Sequence, residues 1–321
     1  MSSKRIVRSL CAPLLALFLL AGCQFFQKDA ASFSGKKYAV VIGINDYINI
    51  SNDLQYCVSD AESVAQMLID GGWNKSSINK IQAQSNEAVL RIATKNNIRT
   101  ALQNVPADVD TFFFYYSGHG EGGTEAENAY LVPSDYNGSS SSMISSAELS
   151  SWLDTIPARN KMVIIDACYS GGFVDPREAL DAVPGDYQKN SLLKGQQSGL
   201  AMFLQFGTLL AKNSLARSGS TGYSTAPLVI SAAGWKELSW EQGEKGIGNG
   251  VFTKYLLEAA SLDGSFMKGD ADGDQVLTCL EAYRYAAARL QENWNTGSSQ
   301  DFLPHISGGL RDFALIERRS F

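Results

Sequence analysis

Short apolar runs alternate with helical patterns along the chain after residue 36. Four uninterrupted runs rich in β-branched or aromatic residues predict buried strands at 37–44, 111–116, 161–165 and 228–231. Apolar residues at helical spacing predict helices around 61–70, 98–102, 147–153, 252–260 and 280–290. Strands that alternate with helices favour right-handed crossovers, so we expect an α/β fold with a mostly parallel sheet and helices on both faces.

Local signals refine the first of these helices and predict one more strand. Ser59 and Glu62 have the spacing of a capping box, and Gly71-Gly72 ends the helical pattern that follows. Residues 130–132 come directly before Pro133 and predict a short edge strand.

The N-terminus has the pattern of an export signal. Three cations, Lys4, Arg5 and Arg8, precede an apolar run at 10–20 that is too short to span a bilayer of about 30 Å. The run ends in Leu20-Ala21-Gly22-Cys23, which resembles the lipobox of bacterial lipoproteins. This resemblance implies a signal peptide at 1–22, a lipidated Cys23 and a tether at 23–36; the alternative is an ordinary signal peptide with a coincidental cysteine.

Lipidation at Cys23 implies an exported protein held at a membrane. Gln24 follows the cysteine where Asp would favour retention, so we expect the outer membrane.

Composition and charge exclude two classes of protein. With 45% hydrophobic and 19% charged residues the chain can bury a core, which excludes wholesale disorder. Removing residues 1–22 takes away three of the 27 cations and none of the 33 acids, which leaves a net charge of −9. We therefore expect no nucleic-acid partner.

The candidate chemistry follows two of the predicted strands. His119 comes shortly after the run at 111–116, and Cys168 comes 49 positions later, after the run at 161–165. If the two strands are parallel neighbours, the imidazole can take the thiol proton and create a thiolate nucleophile. The backbone N–H groups of Gly120 and Cys168 are then candidates for an oxyanion hole. The alternative is a cysteine and a histidine that only pack.

The segments Ser117-Gly118-His119-Gly120 and 166–172 resemble the His and Cys motifs of the caspase and metacaspase superfamily. The second is more similar to metacaspases, since Asp166 precedes the cysteine and the caspase sequence Gln-Ala-Cys-Arg-Gly is absent. The resemblance implies a caspase-like three-layer sandwich and a cysteine-type endopeptidase. It further implies that 37–321 is the peptidase domain.

Within this domain the resemblance implies a large-subunit-like part at 37–172, a linker at 173–225 that the enzyme itself could cut, and a small-subunit-like part at 226–321. It also implies a substrate pocket formed by four residues, Cys57, Asp60, Ser117 and Asp166. Two carboxylates favour Arg or Lys and repel Asp, so we expect substrates that are cut after basic residues. A separate role for Asp60 is to stabilise the first turn of its helix.

A second candidate site lies near the C-terminus. Residues 270–281 follow the ligand spacing of an EF-hand loop, with candidate Ca²⁺ ligands at Asp270, Asp272, Asp274, Val276 and Glu281. Gln275 occupies the sixth position, where glycine normally allows a sharp turn. The alternative is a solvated acidic loop that caps the next helix.

These observations favour a lipid-anchored endopeptidase with a His119–Cys168 dyad, with Ca²⁺ as a candidate cofactor. The competing hypothesis is an inactive caspase-like lipoprotein that acts as a binding or scaffold protein at the surface.

Overall fold

The computed structural model describes residues 35–50, 54–83, 92–122, 129–167, 227–232, 241–244, 247–295, 304–307 and 312–318. The predicted signal peptide at 1–22, Cys23, the linker at 173–225 and Cys168 lie outside these ranges. Within the described ranges, no helix combines the length and the hydropathy needed to cross a bilayer.

A six-stranded sheet forms the centre of the molecule. Its strands are β1 (Lys37–Ile44), β2 (Ile78–Ala83), β3 (Thr111–Ser117), β7 (Asn160–Asp166), β8 (Leu228–Ser231) and β14 (His305–Ser307). Their spatial order is β14-β8-β7-β3-β1-β2. Every pairing in this sheet is parallel except that of β14, which runs antiparallel to β8 at one edge. The four strands predicted from apolar runs are therefore confirmed, and they are neighbours in one sheet.

In the described part of the chain, five helices cover this sheet: α1 (Cys57–Asp70), α2 (Lys95–Gln103), α3 (Ser146–Asp154), α4 (Val251–Ala260) and α5 (Cys279–Asn293). Alternate residues of each strand point to opposite faces. Ala39 and Val41 of β1 pack in one core with α1, α4 and α5. Val40 and Ile42 pack in the other core with α2 and α3. The predicted three-layer α/β fold is confirmed.

Nine shorter strands among the described residues form small sheets around this centre. They are β4 (Gly120–Gly122), β5 (Ala129–Leu131), β6 (Ile144–Ser145), β9 (Glu241–Glu244), β10 (Ile247–Gly250), β11 (Leu262–Asp263), β12 (Phe266–Met267), β13 (Val276–Thr278) and β15 (Ala314–Glu317). The strand predicted at 130–132 is β5, but it is the central strand between β4 and β6 and not an edge. The other pairs are β9 with β10, β11 with β12 and β13 with β15.

The start of α1 differs from the capping-box prediction. The helix begins at Cys57, two residues before Ser59, and no side chain of its own N-cap residue closes it. The Oδ1 atom of Asn45, in the loop after β1, accepts a hydrogen bond from the Val58 N–H at 3.0 Å. Glu62 instead binds the Lys80 ammonium on β2 at 2.8 Å. A tertiary contact replaces the local cap.

Candidate active site

The carboxyl ends of β3 and β7 meet at one rim of the sheet. Ser117 pairs with Asp166 in the last register position of the two parallel strands. The Gly118 N–H then donates to the Asp166 carbonyl at 3.3 Å, which extends the contact by one residue. His119 lies at this rim and is half-buried. Cys168 follows Asp166 by two positions, as His119 follows Ser117.

The backbone after His119 turns into the small sheet of β4 and β5. The Val132 N–H donates to the His119 carbonyl at 3.1 Å, and Gly120 lies opposite Leu131 in the antiparallel register. Hydrogen-bonded and non-hydrogen-bonded pairs alternate in such a ladder. The Gly120 N–H therefore points away from β5.

The four predicted pocket residues lie close together beneath this rim. Cys57 and Asp60 are one turn apart at the start of α1, Ser117 ends β3 and Asp166 ends β7. All four are buried, with exposed fractions of 4% or less. The Ser117 hydroxyl donates to Asp60 Oδ2 at 2.8 Å.

A segment from the second half of the chain completes the hydrogen bonding of both carboxylates. The Asn249 side-chain amide and the Gly250 N–H both donate to Asp60 Oδ1 at 2.9 Å. The Thr253 hydroxyl donates to Asp166 Oδ2 at 2.6 Å. Because the hydrogen of the Thr253 hydroxyl is used in this bond, the Tyr115 hydroxyl is the donor in its own 2.6 Å hydrogen bond with Thr253 Oγ1.

Sequence reasoning gave no role to these additional residues. Nothing local to the segment 249–253 indicates hydrogen bonds to acids about 90 and 190 positions earlier. Gly250 shows how closely the segment approaches. A Cβ atom there would lie 2.6 Å from Asp166 Oδ2 and 3.0 Å from Asp60 Oδ2.

Asp166 raises the proton affinity of the neighbouring Asp60. Burial and the nearby charge of Asp166 raise the pKa of Asp60 to about 8, although its hydrogen bonds to Asn249, Ser117 and Gly250 act in the opposite direction. Burial, with the charges of Asp60 and Asp166, also raises the pKa of Tyr115 well above its usual value. The two acids are buried side by side, a setting in which a bound cation would offset their repulsion.

The acidic loop at 270–281 brings its first three predicted ligands together. One carboxylate oxygen from each of Asp270, Asp272 and Asp274 lies within 4.8 Å of the others. Gln275, at the expected glycine position, adopts the left-handed conformation with φ of 66°. Val276 begins β13, and Glu281 lies in the first turn of α5.

Hydrogen bonds within this loop have a regular pattern. Asp270 accepts from the backbone N–H groups of Gly273 and Gln275, both at 2.8 Å. Glu281 Oε1 accepts from the Ala271 N–H at 3.3 Å, and Oε2 accepts from the Thr278 N–H at 3.0 Å in a capping box. The capping role considered for this loop is thus present, performed by Glu281.

The architecture is that of the caspase-like class of α/β proteins. Caspase-1 from Spodoptera frugiperda superposes with a TM-score of 0.52 at 13% identity, covering 89% of this chain and 92% of that one. A structural-genomics protein from Geobacter sulfurreducens superposes with a TM-score of 0.50 at 18% identity, covering 88% and 97%. At these identities the likeness concerns the fold.

Sequence comparison gives the family. Residues 36–297 match the caspase domain, and the chain belongs to the caspase-domain family of cysteine peptidases. Metacaspase-1 of Schizosaccharomyces pombe is 30% identical over 188 residues, which is 54% of this chain and 42% of that protein. Metacaspase-6 of Arabidopsis thaliana is 32% identical over 152 residues, which is 43% and 39%. The match spans less than half the length of these curated relatives.

Proposed function

We propose that the chain is a cysteine endopeptidase that cuts proteins after Arg or Lys, with Cys168 as nucleophile and His119 as general base and acid. The observation that carries this proposal is the register of β3 and β7. Ser117 and Asp166 are paired parallel neighbours, and His119 and Cys168 each follow them by two positions. Membership of the caspase-domain family supports the same assignment.

The reaction proceeds in two halves. The His119 imidazole takes the Cys168 thiol proton, and the thiolate attacks the carbonyl carbon of the substrate. The C–N bond breaks as the imidazolium gives its proton to the leaving amine, which leaves a thioester on Cys168. Water then attacks the thioester with His119 again as base, releasing the acid product and the thiol. The Gly120 N–H, directed away from β5, and the Cys168 N–H are the proposed donors to the oxyanion.

Specificity comes from the pair Asp60 and Asp166, with Cys57 and Ser117 beside them. A buried guanidinium or ammonium would offset the repulsion between the two acids, whereas an Asp side chain would add a further negative charge. We therefore infer that this cluster binds the substrate residue on the acyl side of the bond that is cut.

Fluorogenic peptides that end in Arg, Lys or Asp test the activity and the pocket together. We expect turnover of the first two, none of the third, and complete loss in Cys168→Ala. An active-site probe of the acyloxymethyl ketone type should label Cys168 in the parent protein. Turnover after Asp alone would refute the pocket, and absence of both turnover and labelling would favour the inactive binding or scaffold protein.

We further propose that the loop at 270–281 binds Ca²⁺ through Asp270, Asp272, Asp274, Glu281 and the Val276 carbonyl. The convergence of the three aspartates and the left-handed Gln275 support this proposal. Calcium should raise the thermal midpoint of the parent protein, equimolar Mg²⁺ should raise it less, and Asp272→Asn should abolish the calcium effect. An unchanged midpoint in the parent at millimolar Ca²⁺ would refute the site.

We also propose that the chain is exported, anchored to a membrane by a lipid on Cys23, and able to cut itself within 173–225. A lipidated Cys23 should give an intact mass increased by the lipid, lost in Cys23→Ser. Self-processing within 173–225 should yield two fragments in the parent and none in Cys168→Ala. Fragments that also form in the variant would show cleavage by another protease.

A further inference from the structure

Two buried tyrosine hydroxyls bind the backbone N–H and carbonyl of His119. The His119 N–H donates to Tyr47 Oη at 2.7 Å. The Tyr116 hydroxyl donates to the His119 carbonyl at 2.9 Å and shares its proton with the Val132 carbonyl at 2.8 Å. The backbone N–H and carbonyl of this one residue are therefore fixed by two side chains, one from the loop after β1 and one from β3.

Gly118 makes this arrangement possible. A Cβ atom at position 118 would lie 2.7 Å from Tyr116 Oη and 3.0 Å from Tyr47 Oη, closer than two such atoms can approach. The two hydroxyls thus occupy the space that a side chain would fill. Both tyrosines are buried, and burial raises the pKa of Tyr47 well above its usual value, so its hydroxyl stays neutral.

The ring of Tyr47 also packs against the imidazole. The centroids of the Tyr47 and His119 rings are 4.9 Å apart with an angle of 38° between their planes. One tyrosine therefore constrains both the backbone and the side-chain direction of His119. Tyr47 itself is held in the loop after β1, where its hydroxyl lies 3.4 Å from the Ile44 carbonyl.

We propose that Tyr47 and Tyr116 are positioning residues that hold the His119 imidazole in the orientation needed to take the Cys168 proton. This inference rests on the proposed function of the dyad. Proton transfer requires the base within hydrogen-bond distance, and a misplacement of about 1 Å can slow a reaction by as much as about a hundredfold. Neither tyrosine contacts substrate in this proposal; both act through His119.

Single-oxygen deletions test the proposal. In Tyr47→Phe and Tyr116→Phe we expect kcat for an Arg peptide to fall about tenfold to a hundredfold while KM stays within about twofold. The matched control is Tyr283→Phe, because the buried Tyr283 hydroxyl donates to the Pro304 carbonyl at 3.0 Å in the opposite core. It should lose thermal stability to a similar degree and keep kcat.

A second readout reports the dyad directly. Alkylation of Cys168 by iodoacetamide, mapped by peptide mass spectrometry across pH, measures how readily the thiolate forms. We expect the two Phe variants to shift this profile towards the ordinary thiol pKa of about 8.5, as His119→Ala does fully. Each assay is run well below the thermal midpoint of the variant concerned.

The outcomes separate the two proposals. A shift in His119→Ala with parent-like kcat and alkylation profiles in both Phe variants would overturn the positioning role and leave the dyad intact. A parent-like alkylation profile in His119→Ala would overturn the dyad itself. Equal losses of kcat in Tyr283→Phe and in the two positioning variants would mean that the effect is general destabilisation, and would also overturn the positioning role.

Discussion

Asp60 is a buried acid whose protonation should change the stability of the whole protein. Burial and the charge of Asp166 raise its pKa to about 8, whereas the pKa of Asp in an unfolded chain is about 3.9. Tyr115 also lies beside it, and burial together with the charges of Asp60 and Asp166 keeps the Tyr115 pKa well above this range. Between about pH 4 and about pH 8 the folded state binds a proton that the unfolded state has lost, so stability falls as the pH rises.

Asp60→Asn removes this titration. Relative to the parent protein, we expect the variant to gain on the order of a few kcal/mol in free energy of unfolding between about pH 5 and about pH 8. Urea unfolding at a series of pH values measures the gap between the two curves. Asp263→Asn, at an exposed residue of β11, is the control for the effect of the substitution itself. A constant gap in Asp60→Asn would mean that Asp60 is ionised throughout.

The Thr253 hydroxyl links two buried groups, since it donates to Asp166 and accepts from Tyr115. Thr253→Val keeps the shape and leaves both partners without this contact, so we expect a loss of about 1–3 kcal/mol in the free energy of unfolding. It should also raise KM for Arg peptides, because Asp166 loses a donor that orients it. Denaturant unfolding and steady-state kinetics measure these effects.

Thr155→Val is the matched control for this substitution. The hydroxyl of the exposed Thr155 donates to the Trp152 carbonyl at 2.7 Å, and its loss should change stability by less than about 0.5 kcal/mol. Similar losses in the two variants would mean that the buried Tyr115–Thr253–Asp166 chain adds nothing to stability.

At the scale of elements, α1 depends on a residue outside the helix. Asn45 is buried, accepts from the Val58 N–H and donates to the Gln55 carbonyl at 3.2 Å. Asn45→Ala should therefore lower the free energy of unfolding by about 1–2 kcal/mol, and it should disturb Cys57 and Asp60 in the first turn. Asn74→Ala, which removes the cap of the exposed 3₁₀ turn Lys75–Ser77, should cost only a few tenths of a kcal/mol. Equal losses would contradict a special role for Asn45.

The same contact explains why the start of α1 could not be predicted from the sequence. Ser59 and Glu62 match a capping box, but Asn45 lies 13 positions before the Val58 N–H that it binds. Tertiary contacts of this kind leave no local signal. The capping box of α3, formed by Ser145 and Glu148, shows that the same sequence pattern does cap a helix elsewhere in the chain.

At the scale of the whole molecule, the central strands were predictable because each is an apolar run buried on both faces. The position of the candidate site at the carboxyl ends of the strands could also be predicted, because His119 and Cys168 follow two strands that are adjacent in the sheet. The antiparallel edge strand β14 was missed, because three residues carry too little pattern. The bonds from Asn249, Gly250 and Thr253 to the acids were missed because only the folded chain brings them together.

Gly250 lies where these distant parts of the chain meet, and a single methyl group there should disrupt the contact. Its Cβ would approach oxygens of both Asp60 and Asp166 to 3.0 Å or less, and neither buried carboxylate can move without losing its donors. We expect Gly250→Ala to lower the free energy of unfolding by about 3 kcal/mol and to abolish turnover of Arg peptides.

Gly264→Ala separates this clash from the general effect of replacing a glycine. Gly264 has a φ of 62° and open space around it, so a methyl group there adds backbone strain but no contact, at about 1 kcal/mol. Its turnover should match that of the parent protein. If Gly250→Ala lost no more stability than Gly264→Ala and still cut Arg peptides, the close packing of the 249–253 segment on the two acids would be irrelevant to the pocket. If Gly250→Ala abolished turnover of Arg peptides and Gly264→Ala did not, a glycine in the second half of the chain would be required to preserve the acidic cluster that the first half forms.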